Sequence, residues 1–238
     1  MPESKIEILC TSHLKDELLN KAAAKNIFID VQNFIKTETC LTEEIKQKIQ
    51  SLSKKRIAVI FTSKNAVNAV VSQLSTIPNW DVHCISGVTK QTVIDFFGKG
   101  KSIISAKNAA GLAEKIIANK NIKEVVFFCG NQRLNDLPEM LRQNNIGVKE
   151  LIVYTTEEVP HSIQKDYDAI LFFSPSAVHS FFSVNTISTN VLLFSIGKTT
   201  TTAIATYCSN LVNTSEFPGK EQMINLVIDF FSTFITKQ

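Results

Sequence analysis

The 238-residue chain lacks most of the features that would assign it quickly. It has five cysteines, Cys10, Cys40, Cys84, Cys129 and Cys208. No two are spaced as a CxxC site, and an odd count does not make a disulfide framework. Cys10, Cys84, Cys129 and Cys208 lie in or beside apolar runs, which predicts buried structural thiols. Four histidines, His13, His83, His161 and His179, share no metal-ligand spacing, so no metal site is expected. No apolar run approaches the ~18 residues a membrane span needs. The apolar tail from Leu226 to Ile235 is broken by Asp229, Ser232 and Thr233 and reads as a core-packed helix. Met-Pro-Glu-Ser-Lys at the start has no apolar signal-peptide core, and the expected location is cytoplasmic. The net charge is only +3, too small and scattered to call for nucleic acid. Its one tight basic cluster, Lys54-Lys55-Arg56, reads as a solvated helix end before a strand.

Glycine signatures are also missing. No GxGxxG follows a strand. Ile196-Gly197-Lys198-Thr199 ends like a phosphate-binding loop, but that motif's first glycine would fall on Leu192. These gaps disfavour a nucleotide- or flavin-binding protein. Gly98-Lys99-Gly100-Lys101 reads as a turn. Ser174 and His179 share one loop–helix unit, yet no Ser-His-Asp set assembles around them.

What the chain does have is core and rhythm. Hydrophobic residues make up 44% and charged residues 20%, enough apolar content for two domains of ~100–120 residues. Short runs rich in Val, Ile and Phe recur at Ile6–Cys10, Ile27–Ile35, Ile57–Phe61, Val82–Ile85, Ser102–Ser105, Val125–Cys129, Glu150–Tyr154, Ala169–Phe173, Val191–Ile196 and Leu211–Asn213. They alternate little, as strands buried on both faces of a parallel sheet do. Helical patterns such as Leu14–Lys25, Ala66–Leu74, Ala110–Asn119, Leu134–Asn144 and Gln222–Phe231 lie between them, which is α/β order.

The chain is also written twice. Phe61-Thr62-Ser63-Lys64-Asn65-Ala66-Val67 aligns with Phe172-Phe173-Ser174-Pro175-Ser176-Ala177-Val178. Gly87-Val88-Thr89 aligns with Gly197-Lys198-Thr199. Val125–Cys129 resembles Ile6–Cys10, and Asn145-Ile146 falls where Asn26-Ile27 does. Each half thus supplies a three-strand and a two-strand block. Tandem domains (1–106 and 125–238) and nested domains both fit. The nested form is preferred, because the extended stretches Asp30–Cys40 and Val148–Val159 suit an antiparallel pair running between domains. The expectation is two similar parallel-sheet α/β domains, residues 1–35 plus 160–238 and residues 41–154. Linker strands at 36–40 and 155–159 would join them.

Ligands in open parallel sheets bind beyond the carboxyl ends of the strands. The loops there are Thr62-Ser63-Lys64-Asn65, Ser86-Gly87-Val88-Thr89, Gly130-Asn131-Gln132-Arg133, Ser174-Pro175-Ser176 and Gly197-Lys198-Thr199-Thr200-Thr201. Each leads into a helix, whose unpaired N–H groups and dipole favour carboxylate or phosphate. Ser, Thr and Asn are equally ordinary helix N-caps. Five such loops in two matched sets point to a polyanion held in a cleft.

Val59-Ile60-Phe61-Thr62-Ser63-Lys64-Asn65-Ala66-Val67, Ile85-Ser86-Gly87-Val88-Thr89 and Ser195-Ile196-Gly197-Lys198-Thr199-Thr200 are similar to segments of uroporphyrinogen-III synthases. So are Gly130-Asn131-Gln132-Arg133 with Leu137, Leu141 and Val153-Tyr154, and Phe173-Ser174-Pro175-Ser176-Ala177-Val178. The resemblance covers nearly the whole chain in order. It departs at Cys10-Thr11-Ser12, where the family often has Thr-Arg, and at Lys25-Asn26, where a glycine is common. The resemblance implies a flavodoxin-like nested pair of domains and a cofactor-independent cyclising lyase of heme biosynthesis. Its substrate would be the linear tetrapyrrole hydroxymethylbilane, with eight carboxylates, and its product uroporphyrinogen III, formed with loss of water and inversion of ring D. Tyr154 would be the proton donor. Carboxylate contacts would come from Thr62, Ser63, Asn65, Gly87, Thr89, Gly130, Asn131, Arg133, Ser174, Ser176, Gly197, Lys198, Thr199 and Thr200. A monomer with transient contact to the preceding pathway enzyme is expected, with no nucleic-acid or membrane partner. The competing reading is a cytosolic two-lobed binding protein for an anionic metabolite, without catalysis.

Overall fold

The structure, a computed structural model, describes residues 5–99, 103–217 and 219–235. From the N-terminus the chain forms β1 (Ile6–Cys10), α1 (Asp16–Ala23), β2 (Ile27–Val31), β3 (Ile35–Thr39) and α2 (Glu43–Ser53). It continues through β4 (Ala58–Phe61), α3 (Lys64–Val71), β5 (Asp81–Ile85), α4 (Val88–Phe97) and β6 (Ile103–Ala106). Then follow α5 (Ala109–Ala118), β7 (Glu124–Gly130), α6 (Asp136–Gln143), β8 (Gly147–Glu158) and β9 (Ala169–Phe172). The last elements are α7 (Pro175–Phe182), β10 (Leu192–Ser195), α8 (Lys198–Ala205), β11 (Val212–Thr214) and α9 (Lys220–Ile235). Of the turn expected at 98–101, Gly98 caps α4 with φ 85°, whereas Gly100 and Lys101 lie outside the described residues, as does Ser102 of the expected strand.

The chain divides into two units, one from Met1–Lys36 with Glu157–Gln238, the other Thr37–Thr156. In the first unit the sheet order is β11-β10-β9-β1-β2, all parallel. Read from its other edge, this is the flavodoxin-like order 2-1-3-4-5. In the second the order is β3-β8-β7-β4-β5-β6, and the five strands from β8 to β6 are parallel. The two orders correspond, β6-β5-β4-β7-β8 matching β11-β10-β9-β1-β2. The three-strand block precedes the two-strand block in the second unit, and the chain order is reversed in the first.

The apolar run 27–35 is not one strand. It breaks after Val31, because β2 pairs with β1 whereas β3 joins the other sheet, and one ribbon cannot serve both. Phe34, in the break, is fully buried in the first unit against Phe181, with ring centroids 5.2 Å apart. Cys40 donates its N–H to the Val153 carbonyl (3.1 Å) and Val159 donates to Phe34 (2.9 Å). As the first partner advances the second recedes, so β3 and β8 run antiparallel where the chain crosses between the units.

Each sheet is covered on both faces, which is why its central strands carry no alternation. In the second unit one face packs Phe61, Val82, Cys84 and Phe128 against α2, α3 and α4. The other packs Ile60, Val125 and Phe127 against α5 and α6. In the first unit, Ile8, Leu171 and Phe194 meet α1 and α9, while Leu9, Phe172 and Leu193 meet α7 and α8. The apolar tail is part of this core, with Met223, Ile224, Val227 and Phe231 buried on α9. Cys10, Cys84 and Cys129 are buried as expected. Cys208 is only half-buried, because it lies in the turn past α8 at the edge of its cluster.

The matched turns before β2 and before β8 both place asparagine at positive φ, 59° at Asn26 and 60° at Asn145. Asparagine is among the few non-glycine residues that tolerate the left-handed region, so it ends α1 and α6 where glycine would otherwise serve. The repeat seen in the sequence is thus a repeat of backbone conformation.

Candidate active site

Because the strands from β8 to β6 are parallel, as are all five of the first unit, each unit gathers its strand-to-helix loops along one edge of its sheet. The favoured binding crevice on such an edge is where the strand order reverses direction. That point lies between β7 and β4 in the second unit and between β1 and β9 in the first.

Tyr154 occupies this point in the second unit. It sits on β8, in register with Gly130 on β7 after an irregularity at Cys129/Gly130. A Cβ on Gly130 would stand 2.4–2.8 Å from the Tyr154 ring and hydroxyl, closer than any real contact. The missing side chain lets the ring lie across β7. Ser63, which follows β4, stands close enough to the phenol to affect its ionisation. Ser63 also caps α3, its Oγ accepting from the Asn65 N–H at 3.1 Å. Burial raises the Tyr154 pKa above the usual phenol value, with Ser63 opposing. The phenol is therefore protonated throughout the neutral range.

The neighbouring residues of the second unit have structural partners. Asn131 prolongs the β7–β8 pairing past the bulge. Its Oδ1 accepts from Thr156 N–H at 2.8 Å and its Nδ2 donates to the Thr156 carbonyl at 3.2 Å. Arg133 donates Nε to Glu150 and Nη1 to Asn135 Oδ1 (2.7 Å), and Arg142 holds the other oxygen of Glu150. Burial alone would raise the Glu150 pKa, but the two guanidiniums hold it below the ordinary carboxylate range. Arg133 thus already has a carboxylate partner. Gly87 opens α4 with φ 80° and ψ −141°, a conformation that favours glycine, and no side chain caps that helix. Thr89 is 6% exposed in its first turn. Thr62 and Asn65 are half-buried on the Ser63 loop.

In the first unit, Ser174 caps α7 by accepting from Ala177 N–H (3.1 Å), with Pro175 at the first helical position. Ser176 is half-buried beside it. Gly197 opens α8 without a side-chain cap, in extended backbone at φ 169°. Lys198 and Thr199 are exposed and Thr200 is 2% exposed. His179 turns from Ser174 to Tyr207, with Nδ1 2.9 Å from that hydroxyl. One cation escaped sequence reasoning. Lys220, at the start of α9, donates to the His13 carbonyl after β1 and lies 5.9 Å over the Phe173 ring after β9. A lone lysine at a helix start carries no sequence signal. Only the fold brings it to the first unit's switch point.

Among the described residues no group of three or more His, Cys, Asp or Glu side chains is placed to hold a metal ion, and no helix is long and apolar enough to cross a membrane. The sites offer hydroxyls, helix N-termini, a half-buried phenol and a few cations, a set suited to binding and protonating an anionic organic molecule.

The family model of uroporphyrinogen-III synthase HemD matches residues 12–225. The chain belongs to the uroporphyrinogen-III synthase family. Among solved structures it is similar to a mutant uroporphyrinogen III synthase from the extremely thermophilic bacterium Thermus thermophilus. That match has a TM-score of 0.72 and 12% identity, and covers 98% of this chain and 100% of that one. It is also similar to uroporphyrinogen-III synthetase from Helicobacter pylori 26695, with a TM-score of 0.65, 17% identity and coverage of 94% and 99%. At such identities these structures show the fold. No curated protein matches in sequence. The uroporphyrinogen-III synthase family comprises cofactor-independent cyclising lyases of heme biosynthesis acting on a tetrapyrrole, and the chain is an enzyme of that kind.

Proposed function

We propose that the chain closes hydroxymethylbilane to uroporphyrinogen III with Tyr154 as proton donor. Family membership supports the reaction. Tyr154 lying across Gly130 at the switch point of the second unit supports the role. The electrons of the terminal pyrrole push out the hydroxyl, which takes a proton from the Tyr154 phenol and leaves as water. The resulting azafulvene is attacked by the substituted carbon of ring D, giving a spiro intermediate that reopens and recloses with ring D inverted. A ring proton lost at the end balances the one donated. Ser63, beside the phenol, favours the transient phenolate.

Most of the remaining barrier is orientation, worth up to ~7–11 kcal/mol in favourable cases. The uncapped N-termini of α4 and α8 take substrate carboxylates through backbone N–H groups, helped by Thr62, Asn65, Thr89, Ser174, Ser176, Lys198, Thr199 and Thr200. The protein works as a cytoplasmic monomer and receives its unstable substrate by transient contact with the preceding enzyme.

The test is to generate hydroxymethylbilane in situ, add purified protein, oxidise the products and separate isomers I and III by chromatography. Predominant isomer III is expected. Isomer I alone, at the spontaneous rate and from folded protein, overturns the proposal in favour of a binding protein.

A further inference from the structure

At the carboxyl edge of the first unit, three hydroxyls meet. Ser195, the last residue of β10, shares a hydrogen bond with Thr201 on α8 (2.6 Å). Thr201 shares another with Thr214, the last residue of β11 (2.7 Å). Ser195 lies 3.4 Å from Thr214 and is fully buried. Thr201 Oγ1 in turn lies 3.3 Å from the carbonyl of Gly197, to which it donates. Three protons serve the three shorter contacts if Ser195 and Thr214 donate to the two lone pairs of Thr201 and Thr201 donates to Gly197, which leaves the 3.4 Å Ser195–Thr214 contact without a proton. The amides of Thr200 and Thr201 reach the same carbonyl at 3.0 and 3.1 Å.

The matching place in the second unit is built differently. Cys84 stands beside Phe61 there as Ser195 stands beside Phe172, and Cys84 packs into the apolar core. The turn after β5 is held instead by the left-handed backbone of Gly87. Gly197 has no such constraint. Its φ of 169° is open to any residue, and a Cβ there would meet nothing within 4 Å. Thr201 and Thr214 are half-buried, and such hydroxyls gain less stability than the same volume of apolar packing, so their use in only one of two matched turns calls for a reason beyond stability.

We propose that Ser195, Thr201 and Thr214 are positioning residues that fix the Gly197–Lys198 peptide for substrate binding. With the Gly197 carbonyl held inward, the planar trans peptide directs the Lys198 N–H the opposite way, out of the mouth of α8. That is the direction from which a substrate carboxylate approaches a helix N-terminus. The proposal rests on the tetrapyrrole-cyclising reading of the same loops.

The experiment compares Thr201→Val and Thr201→Ser with the unmodified protein in the isomer III assay. Loss of one oriented donor should raise KM about fivefold, leave kcat within about twofold and keep isomer III as product. Thr201→Ser should restore KM. An unchanged KM in folded Thr201→Val, or a loss confined to kcat, overturns the proposal. If Thr201→Val fails to fold, Thr214→Val is read in its place, and failure of both makes the cluster purely structural and overturns it too. Amide hydrogen exchange at Lys198–Thr200 reads the device without substrate. It should accelerate in the valine variant, and unchanged exchange overturns the positioning role. Isomer I alone from the unmodified protein would instead overturn the reaction.

Discussion

The two units share one strand order and one set of loops, yet they differ in what those loops are made of. In the second, the turn into α4 is fixed by a glycine in a conformation few other residues adopt, and a tyrosine lies over a second glycine at the switch point. In the first, the turn into α8 has ordinary backbone braced by three hydroxyls, and the switch point carries Lys220 against Phe173. A duplicated framework therefore preserves where the loops stand but not how each is held. The second unit has a tyrosine at its switch point, and the first has a lysine there.

The largest way to break this comparison is at Tyr154. Tyr154→Phe should lower turnover by about 10²-fold or more, as loss of a general acid does. Gly130→Ala should do nearly the same, because its methyl displaces the ring. The double variant should be no worse than either single one, since both remove one device. Single-turnover formation of isomer III reads all three, and additive losses would refute the shared role.

The glycines of the two matched turns should respond unequally. Gly87→Ala puts a side chain at φ 80° and should cost about 1–2 kcal/mol in chemical denaturation. Gly197→Ala should stay within about 0.5 kcal/mol, because its Cβ meets open space. Any activity lost by Gly197→Ala would then report substrate passing over that turn. At the other matched pair, Asn26→Ala and Asn145→Ala should each cost about 1 kcal/mol through left-handed strain, and the glycine variants close to nothing.

Acid should separate the units most gently. His83, buried on β5 with Nδ1 finding no partner, has its pKa lowered by burial, with Asp81 opposing. An unfolded histidine titrates near 6.5, so the unfolded chain takes up the proton first. His83 thus favours the folded second unit above about pH 6.5, and that contribution fades as the pH falls below it. In the first unit Lys165 holds Glu7 and Asp30 below their ordinary values. Their contribution is present above those values, near 4, and is lost only in stronger acid. Hydrogen exchange at pH 7, 5 and 3 should show the second unit loosening before the first, and His83→Leu should abolish that order.

Much of the fold is legible in the sequence. Alternation is absent where strands are covered on both faces, and Asn26 and Asn145 mark equivalent turns that share one φ. Ser63 and Ser174 stand at helix starts and are N-caps. Other features leave no local trace. The run 27–35 looks continuous because the break at Phe34 is apolar too. Helix α2, with only a narrow apolar face of Ile45, Ile49 and Leu52, gives a weak pattern beside its charged residues. Arg133 resembles a free cation because Glu150, its partner, is 17 residues away on β8.

Local chemistry is carried by neighbours along the chain, and so the sequence alone determined the α/β alternation, the duplicated loops, the caps and the family. Only tertiary structure decided which residues meet across strands. Tyr154, Gly130 and Ser63 come together because β8, β7 and β4 lie side by side, and Ser195, Thr201 and Thr214 because β10, α8 and β11 do. Such meetings depend on strand order and register, which hydrogen bonding between distant segments sets and local spacing does not encode.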